Sequence, residues 1–201
     1  ALNNGGHDYG MDQIVGADLV GSEYIFIKGD GEPDWEKALV IANQDNTQLQ
    51  VNGSDYGSPL QEGQFLFISE YTSDNNMYIS TKDPSHKLFA YQSLGRIWTE
   101  SQFQNSRAAN QGMFFVPPLN CSNRGDVNNI AKIDEVANKS YTGAVTFITK
   151  KNAEIFINGQ SISDVQNSNG PFSVTGKDDY VTYRVDNLTG NISVTGNDEL
   201  Y

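Results

Sequence analysis

Apolar runs of only four or five residues, each cut off by a cluster of Gly, Asp, Asn or Ser, recur along most of the chain. Tyr24-Ile25-Phe26-Ile27, Leu39-Val40-Ile41-Ala42 and Phe65-Leu66-Phe67-Ile68 are such runs, and Gln48-Leu49-Gln50-Val51 alternates polar with apolar residues. Between them stand Gly29-Asp30-Gly31, Gln44-Asp45-Asn46, Gly53-Ser54-Asp55 and Thr72-Ser73-Asp74-Asn75-Asn76. Runs this short leave no room for an amphipathic helix, and turn clusters every eight to twelve residues or so are the spacing of β-sandwiches. The chain therefore reads as all-β. Only Asp34 to Lys37 and Asn128 to Ala137 hint at helix, and both are too short to make a layer. The strand phenylalanines Phe26, Phe65, Phe67, Phe147 and Phe156 read as core.

Setting the two ends side by side at an offset of 106 places Val51-Asn52-Gly53 over Ile157-Asn158-Gly159. Asn-Gly marks a hairpin because both central residues of a type I′ turn need positive φ. Met77-Tyr78-Ile79-Ser80 is echoed by Asn191-Ile192-Ser193-Val194, and Phe65-Leu66-Phe67-Ile68 by Val181-Thr182-Tyr183-Arg184-Val185. The expectation is one module over residues 1–201 with two β-sandwich-like lobes of similar plan, about 15–92 and about 139–201. A long irregular connection of about 93–138 joins them, and non-repetitive loops are where binding groups concentrate. The chain starts at Ala1 and ends on Tyr201 in a strand-like stretch, as a module of a longer protein would.

Charge narrows the partners. Asp and Glu number 25 against 13 Lys and Arg, a formal charge of −12, which argues against nucleic acid and anionic lipid. No apolar stretch reaches the roughly 18 to 20 residues that span a bilayer, so membrane insertion is not expected. Cys121 alone gives no internal disulfide, and His7 and His86 cannot assemble a multi-histidine zinc site or a hydrolytic triad. A glycosidase would need two carboxylates about 5 to 10 Å apart, and Glu32 with Glu36 or Asp178 with Asp179 are the candidate pairs.

Calcium makes better use of these oxygens, since it takes about six to eight of them and accepts Asn and backbone carbonyls beside carboxylates. Candidate ligands are Asp30, Glu32 and Asp34; Asn120, Asp126 and Asn128; and Asp178 and Asp179 near Asp186. At the end of the first lobe and in the connection, Tyr91, Gln92, Arg96, Trp98, Arg107, Asn110 and Gln111 are the candidate ligand-binding residues. Aromatics there can stack on a ligand, and the two arginines can grip a carboxylate through paired hydrogen bonds.

Several segments also resemble the N-terminal domain family of IgG Fc-binding proteins and its bacterial surface-protein relatives. They are Ala38 to Ala42 followed by Gln44-Asp45-Asn46-Thr47 and Val51; the Leu60, Gly63-Gln64 turn; Met77-Tyr78-Ile79-Ser80-Thr81 with Pro84, leading into Phe89-Ala90-Tyr91-Gln92; and Val116-Pro117-Pro118-Leu119. The resemblance covers about residues 20–135 and implies a non-catalytic recognition module of a large secreted or cell-surface protein with an adhesive role. Similar modules occur near the ligand-binding ends of calcium-dependent bacterial adhesins. Having no cysteine besides Cys121, the chain departs from the eukaryotic pattern, which points to a bacterial surface protein.

The expected partner is a peptide or glycan on a host or neighbouring cell, bound by a monomeric module within a longer chain. The alternative is a structural spacer that positions a neighbouring domain.

Overall fold

The computed structural model describes residues 15–29, 36–93, 113–119, 126–136 and 139–201. It is almost entirely antiparallel β, as the short apolar runs require. The chain divides into two units, Ala1–Leu119 and Asn120–Tyr201.

The first unit carries β1 (Glu23–Ile27), β2 (Ala38–Ala42), β3 (Thr47–Val51), β4 (Ser54–Leu60), β5 (Phe65–Ile68), β6 (Asn76–Thr81), β7 (Leu88–Ser93) and β8 (Met113–Phe115). They form two four-stranded sheets, ordered β1-β6-β3-β4 and β5-β2-β7-β8. Tyr24, Phe26, Leu49, Met77 and Ile79 of the first sheet pack on Val40, Ile68, Leu88 and Ala90 of the second, all buried. Burying about ten such side chains, each contributing roughly 1.5–3 kcal/mol, makes the space between the sheets the main source of stability. The Tyr24 hydroxyl stays in this interior by donating to the Leu88 carbonyl while accepting from Gly21 N at 2.7 Å. Burial pushes its phenol far above the usual range.

The second unit carries β9 (Val127–Ile130), β10 (Glu135–Val136), β11 (Lys139–Ser140), β12 (Gly143–Lys150), β13 (Ile155–Ile157), β14 (Gln160–Ser161), β15 (Ser168–Ser173), β16 (Tyr180–Leu188) and β17 (Ile192–Gly196). A short 3-10 helix, Ile162–Asp164, follows β14. The sheets are ordered β14-β13-β17-β9 and β12-β16-β15, with β10-β11 as a separate hairpin. Phe147, Ile155, Ile157, Val181, Tyr183, Val185, Ile192, Val194 and Leu200 form the core, and the Phe147 and Tyr183 rings stack at 5.1 Å.

The two units share one plan. The order β1-β6-β3-β4 recurs as β9-β17-β13-β14, and Val51 opposite Ile79 recurs as Ile157 opposite Val194. Both Asn-Gly turns have left-handed φ, 51° and 82° at Asn52-Gly53 and 50° and 79° at Asn158-Gly159. The asparagines do the same second job. Asn52 N donates to Tyr78 O at 2.8 Å while its Oδ1 accepts from Tyr78 N at 3.0 Å. Asn158 N donates to Ser193 O at 2.9 Å while its Oδ1 accepts from Ser193 N at 2.8 Å. Each turn is thereby tied to a strand that is not part of its hairpin. Tyr78 thus corresponds to Ser193, one residue later than the sequence alignment, which sets it over Ile192.

Two expectations are corrected. The stretch expected as helical, Asn128 to Ala137, is not so over its described residues 128–136: Asn128–Ile130 belongs to β9 paired with β17, and Lys132 at φ 46° turns the chain toward β10. Phe65, Phe67 and Phe156 are not core, being 58%, 49% and 36% exposed. Phe26 and Phe147 are buried as expected.

Candidate functional site: an outward aromatic face on the first unit

The exposure of Phe65 and Phe67 follows from the turn that leads into β5. Gly63, at φ 77°, lets the chain reverse over Gln61–Gln64, where Gln64 N donates to Gln61 O at 3.0 Å. Glu62 N is held by Asp45 Oδ1 at 2.9 Å. Gly63 N then donates to Ala42 O at 2.8 Å and Ala42 N to Gln64 O at 2.9 Å. This sets the register of β2 against β5, with Val40 opposite Leu66 and Ala38 opposite Ile68 on the inward side. Leu39 opposite Phe67 and Ile41 opposite Phe65 fall on the outward side.

The outward side continues across the sheet. Leu39 is opposite Tyr91 and Ile41 opposite Phe89 on β7, and Tyr91 is opposite Phe115 on β8. Phe67-Leu39-Tyr91-Phe115 and Phe65-Ile41-Phe89 are therefore two adjoining apolar lines. Phe65 and Phe67 meet edge to face at 5.9 Å, as do Tyr91 and Phe115 at 5.8 Å. Ile41, Phe89, Tyr91 and Phe115 are half-buried and Leu39 is buried, so the two β5 rings stand highest. The Tyr91 hydroxyl is the one polar side-chain group among these seven residues. This contiguous apolar face is the candidate binding surface of the first unit.

Beside the apolar core, the inner side of this sheet also carries a small buried polar cluster. Glu36, 3% exposed, accepts from Gly29 N and from Gln92 Nε2, the latter at 3.1 Å. Gln92 Nε2 also donates to Ile27 O at 2.8 Å. The Tyr71 hydroxyl is buried with no hydrogen-bond partner among the described residues. Burial, and then the nearby Glu36 charge, push the Tyr71 phenol far above its usual range.

Of the ligand-binding residues expected from sequence, Tyr91 lies on the outward face and Gln92 points inward with its amide engaged. Arg96, Trp98, Arg107, Asn110 and Gln111 lie outside the described residues. Of the expected calcium ligands, Asp30, Glu32, Asp34 and Asn120 lie outside the described residues, as does the side chain of Asn128. Asp126 and Asp178 are exposed. Asp179 is ion-paired with Lys150 at 2.9 Å, and Asp186 with Arg184 at 2.7 Å. Among the described residues, no three His, Cys, Asp or Glu side chains come together as a metal site.

Sequence reasoning passed over Phe65, Phe67, Leu39, Ile41, Phe89 and Phe115 as binding groups. The available signal was that Phe65-Leu66-Phe67-Ile68 carries bulk on both of its faces, whereas a sandwich edge strand needs only one apolar face.

The fold is all-β, two units of one plan, with an exposed apolar face on the first. The family model described as IgGFc binding protein matches residues 1–200, and the chain belongs to that family. Neither the curated proteins nor the solved structures hold a match to it. Family members are binding modules, typically of secreted proteins, and no helix among the described residues is long and apolar enough to cross a membrane.

Proposed function

We propose that the chain is a secreted, non-catalytic ligand-binding module of a bacterial cell-surface adhesin, and that the outward face of β5-β2-β7-β8 is its recognition surface. The observation that carries this reading is the exposure of Phe65 and Phe67 on a sheet whose inner side already fills the core. Apolar side chains left in water beside a complete core gain most from a partner that covers them. A peptide ligand suits the face better than a glycan. Sugar hydroxyls need several aligned hydrogen-bonding groups, and the Tyr91 hydroxyl is the only one the seven residues supply. The family name supports a protein partner of the immunoglobulin type.

Calcium belongs to the same proposal. Asp30, Glu32 and Asp34 are its first candidate ligands, and the formal charge of −12 favours cation uptake. The test is binding of the chain to immobilised immunoglobulin Fc and to a peptide and glycan array, with calcium or with EDTA. Peptide or Fc signals that Phe67→Ala weakens support the face as the site. Signals indifferent to Phe67→Ala contradict it. Binding and melting temperature unchanged by EDTA would remove calcium from the account.

A further inference from the structure

Among the described residues, β5 is the strand edge that carries no device against pairing. At the free edge of the other first-unit sheet, β4 carries Pro59 and Gly57 at φ 63°, and its pairing with β3 slips between Thr47 and Leu49. In the second unit, β15 carries Pro171 and slips between Asn169 and Phe172, and β9 slips against β17. The edge strands β8 and β14 are only three and two residues long. At the edge of β1, Leu119 N donates to Glu23 O at 2.9 Å, and β12 is bridged at Thr149 by Leu200. These are the usual devices that stop an edge from pairing with a foreign strand. β5 has none of them: it holds no proline, no charge and no break in its register with β2.

The direction of its backbone follows from the turn. Gln64 O is bonded to Ala42 N, and antiparallel ladders alternate, so Leu66 and Ile68 face their partners on β2. The N–H and C=O groups of Phe65 and Phe67 therefore point away from the sheet. The residues with outward backbone groups are the same two whose rings rise highest on the apolar face.

We infer that β5 receives an extended peptide as a fifth strand of this sheet, resting on the proposal that the face is the binding surface. The added strand would exchange backbone hydrogen bonds with Phe65 and Phe67 and lay alternate apolar side chains beside their rings. Area argues against a second copy of the chain as occupant. Four strands about 4.8 Å apart and three to six residues long present on the order of 250 Å² in projection. A stable dimer buries about 800 Å² on each partner. Charge sets the ends of the peptide. Asp45 and Glu62 stand together at the start of β5 and Glu70 follows its end, while no Lys or Arg lies between Gln61 and Asn76. The ligand is therefore an extended segment with large apolar residues at alternate positions and Lys or Arg at its flanks.

The experiment is fluorescence anisotropy of the chain with a labelled peptide of alternating valine and threonine carrying two lysines at each end. Glutamate replaces lysine in a second peptide. Two more are N-methylated on one or the other alternate set of residues. Strand addition gives binding of the lysine peptide and at least tenfold weaker binding of the glutamate peptide. It also gives at least tenfold loss for one methylated set and little for the other, because only one set faces β5. Phe67→Pro should bind worse than Phe67→Ala, since proline removes the outward N–H without touching the β2 ladder. Should Phe67→Pro not fold, the methylated pair decides alone. No binding of the lysine peptide overturns strand addition, as does equal binding of both methylated peptides. If that equal binding is still lost in Phe67→Ala, the face stands as a site and only the edge pairing falls. If Phe67→Ala also changes nothing, the face falls with it.

Discussion

Truncating Phe67 should cost the fold much less than truncating Phe26, although both sit in apolar strands of the same unit. Phe26 is fully buried between the sheets, and Phe→Ala at such a position costs about 3–5 kcal/mol through lost transfer energy and the cavity left behind. Phe67 keeps 49% of its surface in water, so folding removes only about half of a transfer energy of roughly 1.5–3 kcal/mol. Its ring also leaves no closed cavity. Phe67→Ala should therefore cost about 1 kcal/mol, and Phe65→Ala, at 58% exposure, slightly less. Both tryptophans of the chain, Trp35 and Trp98, fall within Ala1–Leu119, so urea unfolding followed by tryptophan fluorescence reports on this unit. A loss at Phe67→Ala as large as at Phe26→Ala would show that the ring is packed as core. The face would then not be available to any ligand.

Asn52 and Asn158 should prove unusually sensitive turn residues. Replacement by Ala forfeits both the easy left-handed φ and the side-chain acceptor for a strand N–H, for a combined loss of about 2 kcal/mol in thermal or urea unfolding. A loss under about 0.5 kcal/mol would contradict the tie to Tyr78 and Ser193. In the second unit, burial pushes the Asp179 carboxyl up, but the Lys150 hydrogen bond and the charges of Lys177 and Lys150 outweigh it and hold it below its ordinary 3.8. A depressed folded value means the ionised form is favoured by folding. That contribution is present above about pH 4 and fades as pH falls below it. Asp179→Asn should lower the melting temperature slightly at pH 7, and the difference should vanish near about pH 2. A difference that stays constant over this range would contradict the pairing.

The strands were legible because each turn cluster is chemically explicit, and the Asn-Gly pairs even marked the positions where the two units correspond. Which side of β5 faces the core was not. Phe65-Leu66-Phe67-Ile68 is apolar at every position, so period-two alternation carries no information there. The register comes instead from Gly63 and Gln64 bonding to Ala42, a long-range contact that no local pattern encodes. The ends of the stretch read as connection were missed for a related reason. Met113–Phe115 and Val127–Ile130 are strands only because β7 and β17 offer them edges to pair with. Tyr91 and Gln92 were grouped as ligand-binding residues of the irregular stretch, but both lie on β7, where neighbours point to opposite sides.

The most direct test of the recognition face is residue-resolved amide hydrogen exchange of the chain, free and with the lysine-flanked peptide. In the free chain Leu66 and Ile68, bonded to β2, should exchange slowly and Phe65 and Phe67, pointing outward, should exchange fast. Peptide should protect Phe65 and Phe67 while leaving β16 unchanged. Protection that appears only away from β5, or Phe65 and Phe67 amides already slow in the free chain, would contradict the claim that this edge and its aromatic face are open for a partner.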